Sequence, residues 1–369
     1  MYSNNDLDEA VAAGAISADS ATALRAFTER QRSTPAVDEE QFRLITGFND
    51  IFVSVAAVIL LVAVGWIGQW LGNSLGLAIE GEGPSFLAPA AVAATAWGLA
   101  LFFTAKRRMA LPSILLLLAF VGGLFAAAAF ALVMAIGATT LENNEALGGI
   151  LAAAAAAVAT AGAWLHWKRF RVPITVAAGA AAVAALAVGL LVAALGDRLD
   201  NAENAILGFV LLLGIATFLF AMWWDSSDRA RITRRADVAF WLHLLAAPMI
   251  VHPVFTLLGL NDGNATILEG LVVILLYVAI GITALAIDRR ALLVSALAYV
   301  LFALNRMFEQ FGAVELNVAL TALVIGSALL LLSAFWHQAR QAVVRPLPEG
   351  LRARLPVIDR AGLVSQPAA

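Results

Sequence analysis

The sequence predicts an all-α fold, a polytopic transmembrane helix bundle of about ten spans preceded by a small N-terminal helical hairpin. Three observations predict it. The 369-residue chain is 62% hydrophobic and 13% charged, against about 25% charged in soluble domains, and its mean hydropathy is +0.88. The apolar residues fall in unbroken runs of ~20, the length that crosses ~30 Å of hydrocarbon at ~1.5 Å per residue. The basic residues occupy every second connection between those runs: of the 23 Lys and Arg, all but Arg198 and Arg306 fall on one side. In lipid the backbone must satisfy its own hydrogen bonds, so unbroken apolar runs read as helices. A barrel would need alternating strands of about ten residues.

The chain divides into a cytoplasmic helical head (1–50), a ten-span domain (51–337) and a basic cytoplasmic tail (338–369) that is partly disordered. In the head, Asp6 to Ala13 carries Leu7, Ala10 and Val11 on one side, and Gly14 ends it. Ser17 N-caps a second helix through Arg30, with Ala21, Leu24 and Phe27 on its apolar face. Thr34-Pro35 breaks the pattern, and Asp38 to Asn49 is a third amphipathic segment running into the first span. So short a head cannot bury its apolar face alone. Leu7, Val11, Leu24 and Phe27 are therefore its candidate docking residues, for a membrane partner, for a second copy of the chain as a homo-oligomer, or for the membrane surface.

The stretch from Leu7 through Gly14 to Ile16-Ser17, followed by Ala21 and Leu24-Arg25, resembles the opening of bacterial membrane proteins in the domain-of-unknown-function 2157 family. The apolar run from Phe48 to Trp66 is similar to that family's first span. The resemblance covers residues 1 to about 70 and the many-span layout. It implies a bacterial inner-membrane protein and transfers no catalytic residue.

The ten spans are placed at 51–71, 86–105, 112–137, 146–165, 174–195, 205–224, 237–258, 266–287, 291–310 and 316–336. The first begins too far into the chain for a secretory signal and reads as an uncleaved anchor. The third and fifth open at Pro112 and Pro173, where proline is tolerated. The fourth, sixth, eighth and tenth open near Glu145, Glu203, Glu269 and Glu315, which suits the positive end of a helix dipole. Trp66, Trp70, Trp164, Trp167, Trp223, Trp224 and Trp336 sit near span ends, as interfacial anchors do. Residues 152–157, 177–182 and Gly122-Gly123 make small-residue surfaces for close helix packing. The basic connections are Lys106 to Arg108, Lys168 to Arg171, Arg229 to Arg235, and Arg289-Arg290. The positive-inside rule puts these, and both termini, in the cytoplasm.

Chemistry-bearing motifs are sparse. There is no cysteine, which excludes disulfides and thiolate nucleophiles. Neither a zinc-protease helix, a phosphate-binding loop nor a nucleophile elbow is present. No enzyme activity, cofactor, metal or nucleic-acid partner is expected; the expected surroundings are the lipid bilayer. His243 and His252, nine residues apart on span seven, point to opposite faces about 13 Å apart, so each is expected to bond a neighbouring helix. His166 and His337 are expected at the interface. A candidate outer polar layer comprises His252, Glu269, Asn305, Arg306, Glu309, Glu315 and Asn317, with Glu269 and Arg306 at equal depth on either side of the Asp288-Arg289-Arg290 turn. It is either a ligand or ion mouth or an interfacial ion pair that snorkels to water. The tail from Val343 to Pro356 sets Arg345, Arg352 and Arg354 among leucines, which predicts a segment on the cytoplasmic leaflet or a disordered tail. The function class is an integral membrane protein of binding, sensing or scaffold type, with a secondary transporter for a small solute as the alternative.

Overall fold

The structure is a computed structural model and describes residues 7, 10–24, 48–142, 144–196, 202–229, 231, 233–259, 267–290, 292–293, 297, 301 and 317–357. It divides into two compact units, Met1–Arg43 and Leu44–Ala369.

In the first unit, the Gly14 amide bonds the Val11 carbonyl at 3.0 Å with φ +70°. That left-handed backbone is open to glycine at no steric cost. The Ser17 hydroxyl accepts the Ser20 amide at 3.1 Å, an N-cap that starts the helix over residues 18–24. Ala21 is fully buried there, while Leu24 is 40% exposed.

Among the described residues the regular elements of the second unit are helices: α1 Phe48–Ser74, α2 Leu87–Phe103, α3 Ala110–Ile136, α4 Ala138–Glu142, α5 Glu145–Phe170, α6 Ile174–Leu195, α7 Ala202–Ser226, α8 Arg234–Leu257, α9 Ile267–Ile287, α10 Asn317–Ala334, α11 Trp336–Val344 and α12 Glu349–Arg352. Six of these are long and apolar enough to cross a membrane, or seven if a bent pair counts as one span. This corrects the expectation of ten, for three physical reasons. The second run keeps 17 helical residues, ending at Phe103 before the turn at Thr104 to Lys106, about 25 Å at ~1.5 Å each. The described apolar part of α9, Leu271–Ile287, is also short. The tenth run does not continue straight, because Ala322–Ala334 and Trp336–Val344 meet at 75°. The expected ninth span lies almost wholly outside the described residues.

The loop between α1 and α2 is built by side chains. Gln69 donates to the Gly83 carbonyl at 3.0 Å and accepts the Ser85 amide at 2.9 Å. Ser85 donates to the Leu77 carbonyl at 2.6 Å and packs against Gly72, where a side chain would collide with it.

Small residues set the helix spacing. α5 and α6 interlock through Gly149 with Ala153 and Gly189 with Ala193, each pair one turn apart. A Cβ on Gly189 would lie 2.7 Å from the Ala153 backbone nitrogen, so the two backbones touch, as small-xxx-small pairs permit. Gly123 meets the Pro89 carbonyl in the same way, at 2.8 Å, whereas its neighbour Gly122 faces open space. A core of Leu116, Leu117, Phe120, Ala96, Ala159 and Ala163 joins α2, α3 and α5. α8 stays one helix through Pro248 and Pro253. Pro253 deprives the Met249 carbonyl of its helical donor, and Gly214 of α7 lies against that same carbonyl, where a Cβ would come within 2.9 Å.

Candidate functional site

The described buried charges concentrate at the end of the bundle that holds the basic connections. Asp225, Asp228, Asp288, Arg289 and Arg340 are all under 9% exposed. They lie on the last turn of α7, the connection to α8, the end of α9 and the middle of α11. A buried charge is tolerated only when paired or hydrogen-bonded, and each of these has such partners.

Asp225, 1% exposed, sits at the centre. Arg289 grips both its oxygens, Nη2 to Oδ1 at 2.6 Å and Nε to Oδ2 at 3.2 Å. That two-point geometry suits a guanidinium on a carboxylate. Arg289 Nη2 also donates to the Ala236 carbonyl at 3.0 Å, and its plane lies over Phe240. Arg231 Nη2 is 3.7 Å from Asp225 Oδ2. His243 Nε2 is 3.4 Å from the same oxygen, a polar contact at the long edge of hydrogen-bonding range. His243 is fully buried against Phe218, and its Nδ1 has no hydrogen-bond partner.

Asp288 is the second anchor. Its φ of +57° is a left-handed conformation that aspartate tolerates better than most residues. It ends α9 and turns the chain so that the adjacent Arg289 reaches inward. Arg231 Nη1 donates to Asp288 Oδ2 at 2.9 Å and to its carbonyl at 3.1 Å, and Nη2 donates to the Ile287 carbonyl at 2.9 Å. One cation thus caps the carbonyl end of α9, where the helix dipole is negative. The Trp336 indole donates to Asp288 Oδ1 at 2.9 Å. Arg340 Nε lies 3.7 Å from that oxygen.

The network extends into the tail. Arg340 donates to the carbonyls of Pro356 at 2.7 Å and Val357 at 3.2 Å. Arg229 donates to those of Leu355 at 2.9 Å and Arg352 at 3.1 Å. Leu355 and Val344 are buried in a cluster with Trp336, Ala284 and Leu285. The tail through Val357 is therefore packed onto the bundle end, and residues 358–369 lie outside the described residues. Backbone carbonyls, rather than its own arginines, hold it there. Asp228 fixes the intervening turn by accepting the Thr233 amide at 2.8 Å and hydroxyl at 2.7 Å. Thr233 in turn caps α8.

Two further residues are buried. His166 is fully buried beside Trp97, Phe120 and Phe170, with Nδ1 3.1 Å from the Thr175 hydroxyl. Trp336 is a buried donor rather than an interfacial anchor, while Trp66, Trp70, Trp164 and Trp223 are exposed as anchors should be.

Most of the candidate outer layer lies outside the described residues. His252 is exposed on α8, on the face opposite buried His243, as their spacing requires. Glu269 and Asn317 belong to α9 and α10, but their side chains lie outside the described residues, as do Asn305, Arg306, Glu309 and Glu315 entirely. Of the head residues, Leu7 and Val11 are half-buried and Phe27 lies outside the described set.

Sequence reasoning missed the network because it read the basic connections only as topology signals. One signal was available. Asp225 closes the apolar run ending Trp223-Trp224, an acid at a span end on the basic side, where a buried cation is the natural partner. No family model, no curated protein and no solved structure matches the chain.

The arrangement is suited to holding. Its carboxylates are saturated by guanidinium and indole donors, and its guanidiniums cap helix ends and tail carbonyls. That is the chemistry of a clamp joining α7, α8, α9, α11 and the tail.

Proposed function

We propose that this is an integral membrane protein of binding, sensing or scaffold type, whose basic end faces the cytoplasm and forms a fixed platform. Both termini lie on that side, with the head as the docking element. The helices α2 and α9 cross in this reading despite their length, since the charge of the connections alternates across them. The opening motif at Leu7 to Ser17 supports membership of the domain-of-unknown-function 2157 membrane proteins and a place in a bacterial inner membrane.

The observation that carries the reading is the Asp225–Arg289–Arg231–Asp288 network. It locks the ends of three long helices and the tail with paired charges, and breaking a buried pair costs about 3–5 kcal/mol. Elements that rock during transport are drawn from the low-stability parts of a fold, so a clamp of this kind supports a static role. The alternative, a secondary transporter, needs those ends to separate as access alternates.

The chain has no cysteine, so paired labels need no background removal. Spin labels at Arg107→Cys and Arg345→Cys, both exposed positions, report the distance across the basic end. In proteoliposomes the platform gives one narrow distance, unchanged by a sodium or proton gradient. Two populations that shift with the gradient favour transport.

A further inference from the structure

A cleft of about 110 Å³ lies between α9, α10, the start of α11 and the segment that follows Arg290, lined by Tyr277, Leu293, Leu297, Leu329, Leu332 and Ser333, with Arg290 and Trp336 at one end. Three features give it a direction. The Arg290 guanidinium lies 4.9 Å above the Trp336 ring, beside the charge network that marks the bundle end. Tyr277 is ten residues before the end of α9, about 15 Å further into the bundle at ~1.5 Å per residue. Between them the wall is leucine. Around the cleft, Leu275, Leu330 and Leu331 are 59–73% exposed, so it opens among lipid-facing side chains.

We propose that this cleft is a binding site for one anionic phospholipid. The phosphate sits on Arg290 and the side of Trp336, at headgroup depth. One acyl chain follows Leu293, Leu297, Leu329 and Leu332 inward, and its ester region brings acceptors within reach of Ser333. The volume matches part of one chain: an engineered cavity of about 150 Å³ takes a whole benzene, so this cleft takes a short chain segment while the rest of the lipid lies on the exposed leucine surface. Arginine suits the role, because its planar fork meets phosphate oxygens at two points while its face rests on an aromatic ring. A zwitterionic headgroup would present the same phosphate with a cation beside it, so preference for net negative charge is the mark of the site. The inference stands independently of the platform reading, because a lipid can occupy this cleft in a static protein or a moving one.

The test is native mass spectrometry and thermal stability of the purified full chain in detergent with added phosphatidylglycerol, phosphatidylethanolamine or inorganic phosphate. Wild type retains phosphatidylglycerol over phosphatidylethanolamine. Arg290→Gln loses that preference about fivefold, in keeping with one interfacial cation, and Arg290→Lys keeps most of it. Leu329→Phe, which fills the cleft, weakens retention of both lipids while Arg290 stays. Equal retention of the two lipids by wild type overturns the proposal, as does undiminished preference in Arg290→Gln. Stabilisation by inorganic phosphate equal to that by lipid reassigns the site to a free anion and also overturns it. If Leu329→Phe does not fold, the Arg290 pair alone decides.

Discussion

Replacing Asp225 by alanine removes the centre of the clamp, and the structure sets the size of the loss. Three groups face the Asp225 carboxylate. Arg231 keeps Asp288 and two carbonyls when Asp225 is gone, and His243 is held only by contact. Arg289, 3% exposed, is left with the Ala236 carbonyl and the Phe240 face. One buried cation is thus stranded, and such a loss costs about 3–5 kcal/mol. The retained carbonyl bond places Asp225→Ala near about 3 kcal/mol. Arg289→Ala should cost a similar amount, because it leaves Asp225 with contacts at 3.4 and 3.7 Å. The double variant strands neither group, so it should fall short of the sum by at least about 2 kcal/mol, the coupling expected of residues in one network. Reversible unfolding in mixed micelles, titrated with a denaturing detergent and followed by tryptophan fluorescence, measures all three. Additive effects, or a loss under about 1 kcal/mol for Asp225→Ala, would refute the reasoning.

The other expectations follow from single contacts. Arg340→Ala frees the Pro356 and Val357 carbonyls, so trypsin should cut at Arg352 and Arg354 several-fold faster than in wild type; unchanged cleavage means the tail is held by something else. Gly123→Ala puts a methyl against the Pro89 carbonyl and should destabilise by about 1–3 kcal/mol. Gly122→Ala meets open space and should be neutral or gain up to about 1 kcal/mol of helix propensity. A reversed order in the same unfolding assay contradicts the packing of α2 on α3. Reporter fusions after Arg108 and Arg235 should read cytoplasmic and one after Asn144 external; a cytoplasmic signal at Asn144 overturns the orientation.

Much of the fold was legible because it rests on local properties. Run length and hydropathy identify helices without reference to any partner, and the Ala and Gly surfaces of α5 and α6 announce close packing by composition alone. The His243–His252 spacing gave opposite faces directly from helix geometry. The clamp was not legible, because its pairs are distant in sequence: Asp225 and Arg289 are 64 residues apart. The same arginines that report topology also pair inside the fold, and only tertiary placement separates the two uses. The bend at Phe335 carries no proline or glycine. It is set by Trp336 bonding Asp288 and by Arg340 reaching the tail, neither of which a hydropathy run records. The loop before α2 was hidden for a similar reason, since Gln69 and Ser85 organise it from positions that look like ordinary polar boundaries.

The central claim is that the tail is latched onto the bundle end rather than free beside it, and adjacent positions test it most directly. Arg354 is exposed and Leu355 is 8% exposed. Single cysteines at the two sites, labelled by a membrane-impermeant maleimide in inverted membrane vesicles, report whether that difference exists in the bilayer. The account predicts that position 354 labels at least about tenfold faster than 355, and that Arg340→Ala brings 355 up towards 354, since about 1.4 kcal/mol of lost docking is a factor of ten in opening. Equal, rapid labelling of both positions in the unaltered background would contradict it.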